Sequence, residues 1–288
     1  MTSRPSSPVI RLWRFVRLGL HLAGGMAIAG WVFPWVSSRH RRTVSRRWSR
    51  HVLRILNIRL EVHGEIPDHR EIPGVLLANH VSWLDIVVLN AVFPARFVAK
   101  AEVRSWPVVG WLAAKVGTLF IERGAARHAA RLNGRILEVL IRGEAVAVFP
   151  EGTTSEGDQL RPFRPALLAP AIHARVPVRP AAIRFHRASG ELCRAAAFVG
   201  DIGFLGSLAQ VLRESEMRVR VTLLPPIMAA DRHRREIAQL TREAIAGALG
   251  INVDDNLPGT PADPQDAPPI VAAPTDSRCP SPVPVPVP

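Results

Sequence analysis

"VLLANHVSWLDIVVL", residues 75–89, sets four polar residues (Asn79, His80, Ser82 and Asp85) into an otherwise apolar run. Residues 74–79, "GVLLAN", read as a strand covered on both faces, because the apolar run is short and does not alternate. His80 then falls just past the carboxyl end of that strand, where open α/β sheets place ligands. Ser82 is positioned to cap a following helix, and "SWLD" fits the S/T-x-x-D/E capping pattern. Asp85 comes in the first turn, from which its carboxylate can reach back to the loop. Two readings stay open on this spacing. In one, Asp85 holds one imidazole nitrogen of His80 and the other nitrogen takes a proton. In the other, Asp85 completes the cap and complements the helix dipole, and His80 is an ordinary loop residue.

Outward from this stretch the chain alternates between strand and helix patterns. Strands are expected at 59–64, 96–100, 118–123, 145–150, 178–185, 194–200 and 218–226. Residues 85–93 fit a short helix, although their valines also suit a strand. Helices are expected at 107–117, ended by Gly117; at 126–143, closed by Gly143; at 165–176; and at 231–250, with Asp231 as N-cap. The fold class is α/β: a mixed, largely parallel sheet flanked by helices, with an N-terminal membrane-associated helical segment.

Residues 18–36, "LGLHLAGGMAIAGWVFPWV", are free of acidic and basic residues apart from His21 and are about long enough to cross a bilayer. Arg11, Arg14 and Arg17 precede the run; Arg39, Arg41, Arg42, Arg46, Arg47 and Arg50 follow it. No A-x-A cleavage site follows, and the dense arginines disfavour export. With positive charge on both flanks, a helical hairpin or a helix lying in one leaflet competes with a simple span, and a buried N-terminal helix of a soluble protein is the plain alternative to all three. The expected divisions are 1–57, basic and apolar anchoring helices; 58–251, the α/β domain; and 252–288, a proline-rich disordered tail ending "CPSPVPVPVP".

The net charge of +13 is carried almost wholly by arginine, since Lys100 and Lys115 are the only lysines. Such a balance points to an anionic partner: nucleic acid, an anionic membrane or an acidic carrier protein. The sequence pI of about 11.5 favours the first of these, but no nucleic-acid motif occurs and many arginines crowd the apolar segment. Cys193 and Cys279 form no disulfide framework, no zinc-type spacing occurs, and the compartment reads as reducing. No metal is expected.

Three further constellations end predicted strands. "VFPEGTTSEG" (148–157) can offer backbone N–H groups and hydroxyls to an oxyanion or phosphate, or can be a polar turn satisfied by its own backbone. Arg123 in "TLFIERGAAR" (118–127) suits phosphate, or pairs with Glu122 in solvent. Lys100 closes "RFVAK", where a solvated charge is the plain alternative. Ser82 is a poor nucleophile, two residues from His80 and without a G-x-S-x-G elbow. All of these features fall on the carboxyl ends of strands.

Taken together, "NHVSWLD", "GTLFIERG", "FPEGTTS" and "VPVRPAAI" (176–183) resemble the four ordered boxes of the glycerolipid acyltransferases, the family that includes 1-acylglycerol-3-phosphate acyltransferase. The resemblance covers about residues 74–185. It implies acyl transfer from a thioester, acyl-CoA or acyl carrier protein, to the hydroxyl of a lysolipid, without a further cofactor. The leading acceptor is 1-acylglycerol-3-phosphate, giving phosphatidic acid. The family parallel makes His80 the general base and Asp85 its orienting partner. It also gives Lys100, Arg123, Glu151, Gly152 and Thr153 to substrate binding, the turn at 151–153 supplying oxyanion donors. The expected location is the cytoplasmic face of the inner membrane, with the bilayer and not nucleic acid as partner. One departure stands out: the third box commonly reads E-G-T-R-S, and Thr154 takes the arginine's place. That favours a competing acceptor such as lyso-ornithine lipid, unless Arg161 or Arg164 substitutes.

Overall fold

The computed structural model describes residues 5–66, 74–121 and 126–253. The expected tail, Cys279 and Arg123 lie outside these residues. Eight strands form one sheet: β1 (Ile58–His63), β2 (Val75–Ala78), β3 (Arg96–Lys100), β4 (Leu119–Ile121), β5 (Val146–Val148), β6 (Pro177–His186), β7 (Met217–Leu223) and β8 (Ile227–Met228). Their order is β1-β7-β6-β2-β5-β3-β4, with β8 paired to β6. Every pairing is parallel except β6 with β7 and β6 with β8. The sheet is therefore mixed and largely parallel.

The apolar run of β2 explains its central place. Leu76 and Ala78 face one buried cluster, with Ala147 of β5 and Ile183 of β6. Val75 and Leu77 face the other, with Val146, Val148 and Val178. Period-two alternation thus survives inside an unbroken apolar stretch, because both faces are covered. Helices α2 (Ser38–Ile55), α3 (Leu84–Val92) and α7 (Phe204–Arg213) contribute to the first cluster. Helices α5 (Ala126–Ile141), α6 (Ala169–His173) and α8 (Arg234–Leu249) contribute to the second. The short helix α4 (Val109–Lys115) ends where Gly117 turns at φ +87°, and Gly143 likewise closes α5 at φ +77°.

The N-terminal apolar run begins helix α1 (Pro8–Ala27) and continues through short π and 3-10 turns to Trp35. By length and composition, Pro8–Trp35 could cross a membrane. It folds back on α2 as an antiparallel pair. His21 stacks between Trp48 and His51, with ring centroids at 5.1 and 4.7 Å. Gly25 is required at this crossing, since a Cβ there would come within 2.6 Å of Trp48 Nε1. The start of α1 is tied to the body: Ser6 Oγ donates to Leu212 O and Arg14 Nη1 to Glu214 O, at 2.6 and 2.9 Å.

Several elements differ from the sequence expectation. Residues 194–200 form no strand; one bridge, His186 with Leu192, is followed by a 3-10 turn at Arg194–Ala196. The alanine run has little to gain from a ladder, and its tight packing (Ala196 is fully buried) suits a turn. Helix α7 was not anticipated, because Gly203 and Gly206 interrupt the pattern that buries Leu208, Val211 and Leu212. The segment 165–176 divides into a 3-10 turn and α6, with Pro170 starting the latter. Asp231 is not the cap of α8: it lies at φ +64°, and the ring of His233 accepts from Arg235 N.

Leu77 is fully buried on the central strand. Leu77→Ala is expected to destabilise the protein by about 2–5 kcal/mol through lost burial and a residual cavity. A lowered midpoint in thermal or urea unfolding of purified protein checks this.

Candidate active site

Strands β2, β5 and β3 are neighbours and parallel, so their carboxyl ends meet on one edge of the sheet. That edge carries His80 after β2, Glu151-Gly152-Thr153 after β5, and Lys100 at the end of β3. These five line one cleft of about 2000 Å³. The cleft runs from the α1–α2 pair to α8, and Trp83, Trp106 and Phe204 belong to its mostly apolar wall.

His80 Nδ1 donates to Asp85 Oδ2 at 2.8 Å. The same oxygen accepts the N–H groups of Val81 and Ser82 at 2.7 and 2.8 Å. Asp85 is fully buried, whereas the His80 side chain is 20% exposed at the cleft. With Nδ1 held, Nε2 is the nitrogen able to accept a proton. The imidazole lies flat on Phe149, with ring centroids 4.0 Å apart and planes 10° apart. The dyad and the capping function coexist, but only half of the expected capping box forms. Asp85 reaches back to Ser82 N, while the cap position is Trp83 and the buried Ser82 hydroxyl has no partner among the described residues.

Behind the dyad, Asn79 holds the loop to β6: its Nδ2 donates to Ile183 O at 2.9 Å and its Oδ1 accepts from Ile183 N at 2.7 Å. Glu151 works from the other side. One carboxylate oxygen accepts His80 N at 2.7 Å and the other accepts Arg161 N at 3.0 Å. Ser155 N closes the frame onto His80 O at 2.9 Å. Glu151 is thus a strut between two loops, and both oxygens already have backbone donors. Burial pushes its carboxyl up to about 7; the His80 and Arg161 N–H bonds oppose that, Asp85 adds to it, and the Arg161 charge opposes it. The roles of Asn79, Phe149 and Arg161 N were not read from the sequence. The first two sit inside the quoted boxes, next to the residues they support.

The Thr154 hydroxyl uses its proton inside the protein, donating to Phe198 O. Phe198 N in turn donates to Val81 O at 2.9 Å. Of the amides in the turn, Gly152 donates to Phe149 O at 3.1 Å. No group of three or more metal-ligating side chains occurs among the described residues.

A family model described as acyltransferase matches residues 59–184. The lyso-ornithine lipid O-acyltransferase of Pseudomonas aeruginosa is 39% identical over 249 residues, covering 83% of this chain and 91% of that protein. The chain belongs to the acyltransferase family. A 1-acyl-sn-glycerol-3-phosphate acyltransferase of Neisseria meningitidis is 36% identical to this acyltransferase over 237 residues, covering 82% of this chain and 91% of that one. The crystal structure of the 1-acyl-sn-glycerophosphate acyltransferase PlsC from Thermotoga maritima superposes with a TM-score of 0.61, at 18% identity, covering 85% of this chain and 97% of that one. The last comparison bears on the fold alone.

The Glu151 strut gives this acyltransferase a pH signature. A carboxyl whose folded pKa is raised binds more protons folded than unfolded, so the contribution of Glu151 to stability is full below about 4.5 and is lost as pH rises toward and through about 7. Glu151→Gln cannot ionise. Between pH 5 and pH 8 the wild type should lose up to about 3 kcal/mol relative to that variant. Parallel changes in melting temperature for the two proteins across this range would refute it.

Proposed function

We propose that the acyltransferase moves a fatty acyl chain from a thioester donor, acyl-CoA or acyl carrier protein, to the hydroxyl of a lysolipid, with 1-acylglycerol-3-phosphate as the leading acceptor. The observation that carries this is the His80–Asp85 bond of 2.8 Å at the wall of a long apolar cleft. His80 Nε2 takes the proton of the acceptor hydroxyl as its oxygen attacks the thioester carbonyl. Asp85 keeps the ring oriented and stabilises the imidazolium. The tetrahedral oxyanion is met by amides of the turn after β5. Gly152 N and Ser155 N have backbone partners, so Thr153 N and Thr154 N are the proposed donors. Collapse expels the thiolate, which recovers the proton from His80.

Lys100 at the cleft, and Arg123, two residues past the strand position that pairs with Lys100, are proposed to help hold the acceptor. The acceptor assignment has one specific rival: Thr154, bonded to Phe198 O, supplies no cation where the third box commonly has one. Lyso-ornithine lipid, which carries no phosphate, answers that feature. The relatives support both acceptors by name.

The α1–α2 pair is proposed to lie in one leaflet on the cytoplasmic face of the inner membrane. Trp31 and Trp35 are 82% and 88% exposed, and the arginines of α2 follow directly, as suits an interface with anionic headgroups. Crossing the bilayer would break the bonds that tie Ser6 and Arg14 to residues 212–215.

His80→Ala should lower kcat by about 100- to 10,000-fold with little change in melting temperature. Activity within a few-fold of wild type would remove His80 from the chemistry. Parallel assays with 1-acylglycerol-3-phosphate and lyso-ornithine lipid, each with acyl-CoA and acyl carrier protein donors, decide the acceptor and the donor.

A further inference from the structure

The side chains nearest to the turn after β5 suggest how a phosphate is held without the arginine of the third box. The loop at 159–164 is fixed at two points beside that turn: Arg161 N donates to Glu151 at 3.0 Å, and Arg164 N donates to Pro150 O at 3.0 Å. Gly152 stands at φ +71°, and the Arg164 guanidinium lies directly over it. A Cβ built on Gly152 would meet the guanidinium carbon and Nε of Arg164 at 3.0 Å. Arg161 and Arg164 are both exposed and both line the cleft that His80 lines. Among the described residues, neither guanidinium forms an ion pair with a carboxylate, although Glu151 is close enough to feel the Arg161 charge. The acidic side chains nearby in sequence, Glu156 and Asp158, are engaged by Arg194 at 3.3 and 2.8 Å.

We infer that Arg164, assisted by Arg161, is the phosphate-binding pair of the acceptor site. A guanidinium presents a planar fork matched to phosphate oxygens, and hydrogen bonds between charged partners are among the strong ones. The position is chemically apt. In a glycerol phosphate, the hydroxyl and the phosphate ester sit on adjacent carbons, so the cation must lie close to the base. Glu151 links the two directly, bonding His80 N with one oxygen and the Arg161 main chain with the other. Thr154 can then serve the loop through Phe198, because the cation arrives from ten residues further along the chain. Gly152 lacks a side chain where the guanidinium must pass. The inference rests on the proposed acceptor class and adds the residues that select it.

The test uses the full-length protein in detergent micelles. Affinity for 1-acylglycerol-3-phosphate is measured by tryptophan fluorescence titration for wild type, Arg164→Ala, Arg164→Lys and Arg161→Ala, with Arg213→Ala as a surface control. Arg164→Ala should bind about 10- to 100-fold more weakly. Arg164→Lys should fall between it and wild type, Arg161→Ala should weaken binding to a smaller degree, and Arg213→Ala should match wild type. Melting temperatures identify any variant that fails to fold, in which case Arg164→Lys carries the comparison. Equal affinity in wild type and a folded Arg164 variant overturns the inference while leaving the acceptor assignment intact. Arginine-dependent binding without acyl transfer overturns the assignment and leaves the pair standing; no binding by wild type overturns both. A raised KM for acyl-CoA, with unchanged acceptor affinity and an unchanged KM for acyl carrier protein donors, gives the pair to the donor's phosphates and overturns it here.

Discussion

One oxygen atom, Asp85 Oδ2, accepts three hydrogen bonds, from His80 Nδ1, Val81 N and Ser82 N, all within 2.8 Å. A fully buried carboxylate is strongly destabilised unless such donors replace its water. Here the donors are the backbone of the loop leaving β2 and the ring that the loop carries. Forming the site and solvating the carboxylate are therefore one event. The helix start is part of it, because Asp85 N also donates to Ser82 O at 3.1 Å. Removing the carboxylate would free the imidazole and unlatch the strand-to-helix turn together. This is why the capping interaction and the hold on the imidazole cannot be separated in this stretch.

The sheet was legible because its signals are local. Apolar runs marked β2 and β5, and glycines with positive φ ended α4 and α5 where the sequence pointed. The site was legible at its polar points for the same reason: His80, Lys100 and the 151–153 turn end strands that the parallel order brings side by side. What escaped was whatever depends on distant partners. Asn79 looked like a strand end, and only the register of β2 on β6 shows that its amide meets Ile183. Glu151 looked like a substrate ligand, and only the fold shows both its oxygens turned to backbone N–H groups. Residues 194–200 looked like a strand, yet Phe198 N is claimed by Val81 O, across a hundred residues of sequence. Arg123 remains a sequence reading, since it lies outside the described residues.

Charge and hydropathy also resolve once they are placed. The apolar N-terminal run is open to its surroundings: Leu12, Trp13 and Leu20 of α1, and Trp31 in the turn that follows it, are more than half exposed. An exposed apolar face this long needs a non-aqueous neighbour. The arginines of α2 stand next to it, and α2 packs on α3, the helix whose first turn carries Asp85. The surface proposed to lie in the leaflet is thus only one helix away from His80, and the cleft between them joins the two. On that proposed placement, a lysolipid acceptor with its chain in the leaflet and its headgroup at the interface would not need to enter water.

The Asn79 clamp explains why this edge can hold chemistry at all. Strand β2 stops at Ala78, opposite Ala181, while β6 continues to His186. The main chain of Ile183 would then face an empty ladder position, with a buried N–H and C=O unmatched. The Asn79 amide supplies one acceptor and one donor to those two groups, so the ladder is completed by a side chain instead of a backbone. The chain is thereby released from the sheet one residue before His80. A residue held in the ladder would point to a sheet face and be buried by a flanking helix. His80, freed of that constraint, can lie on Phe149 and open onto the cleft. Substituting Asn79 by an apolar residue would leave the β6 groups unpaired and draw the strand's end, with its histidine, back toward the core.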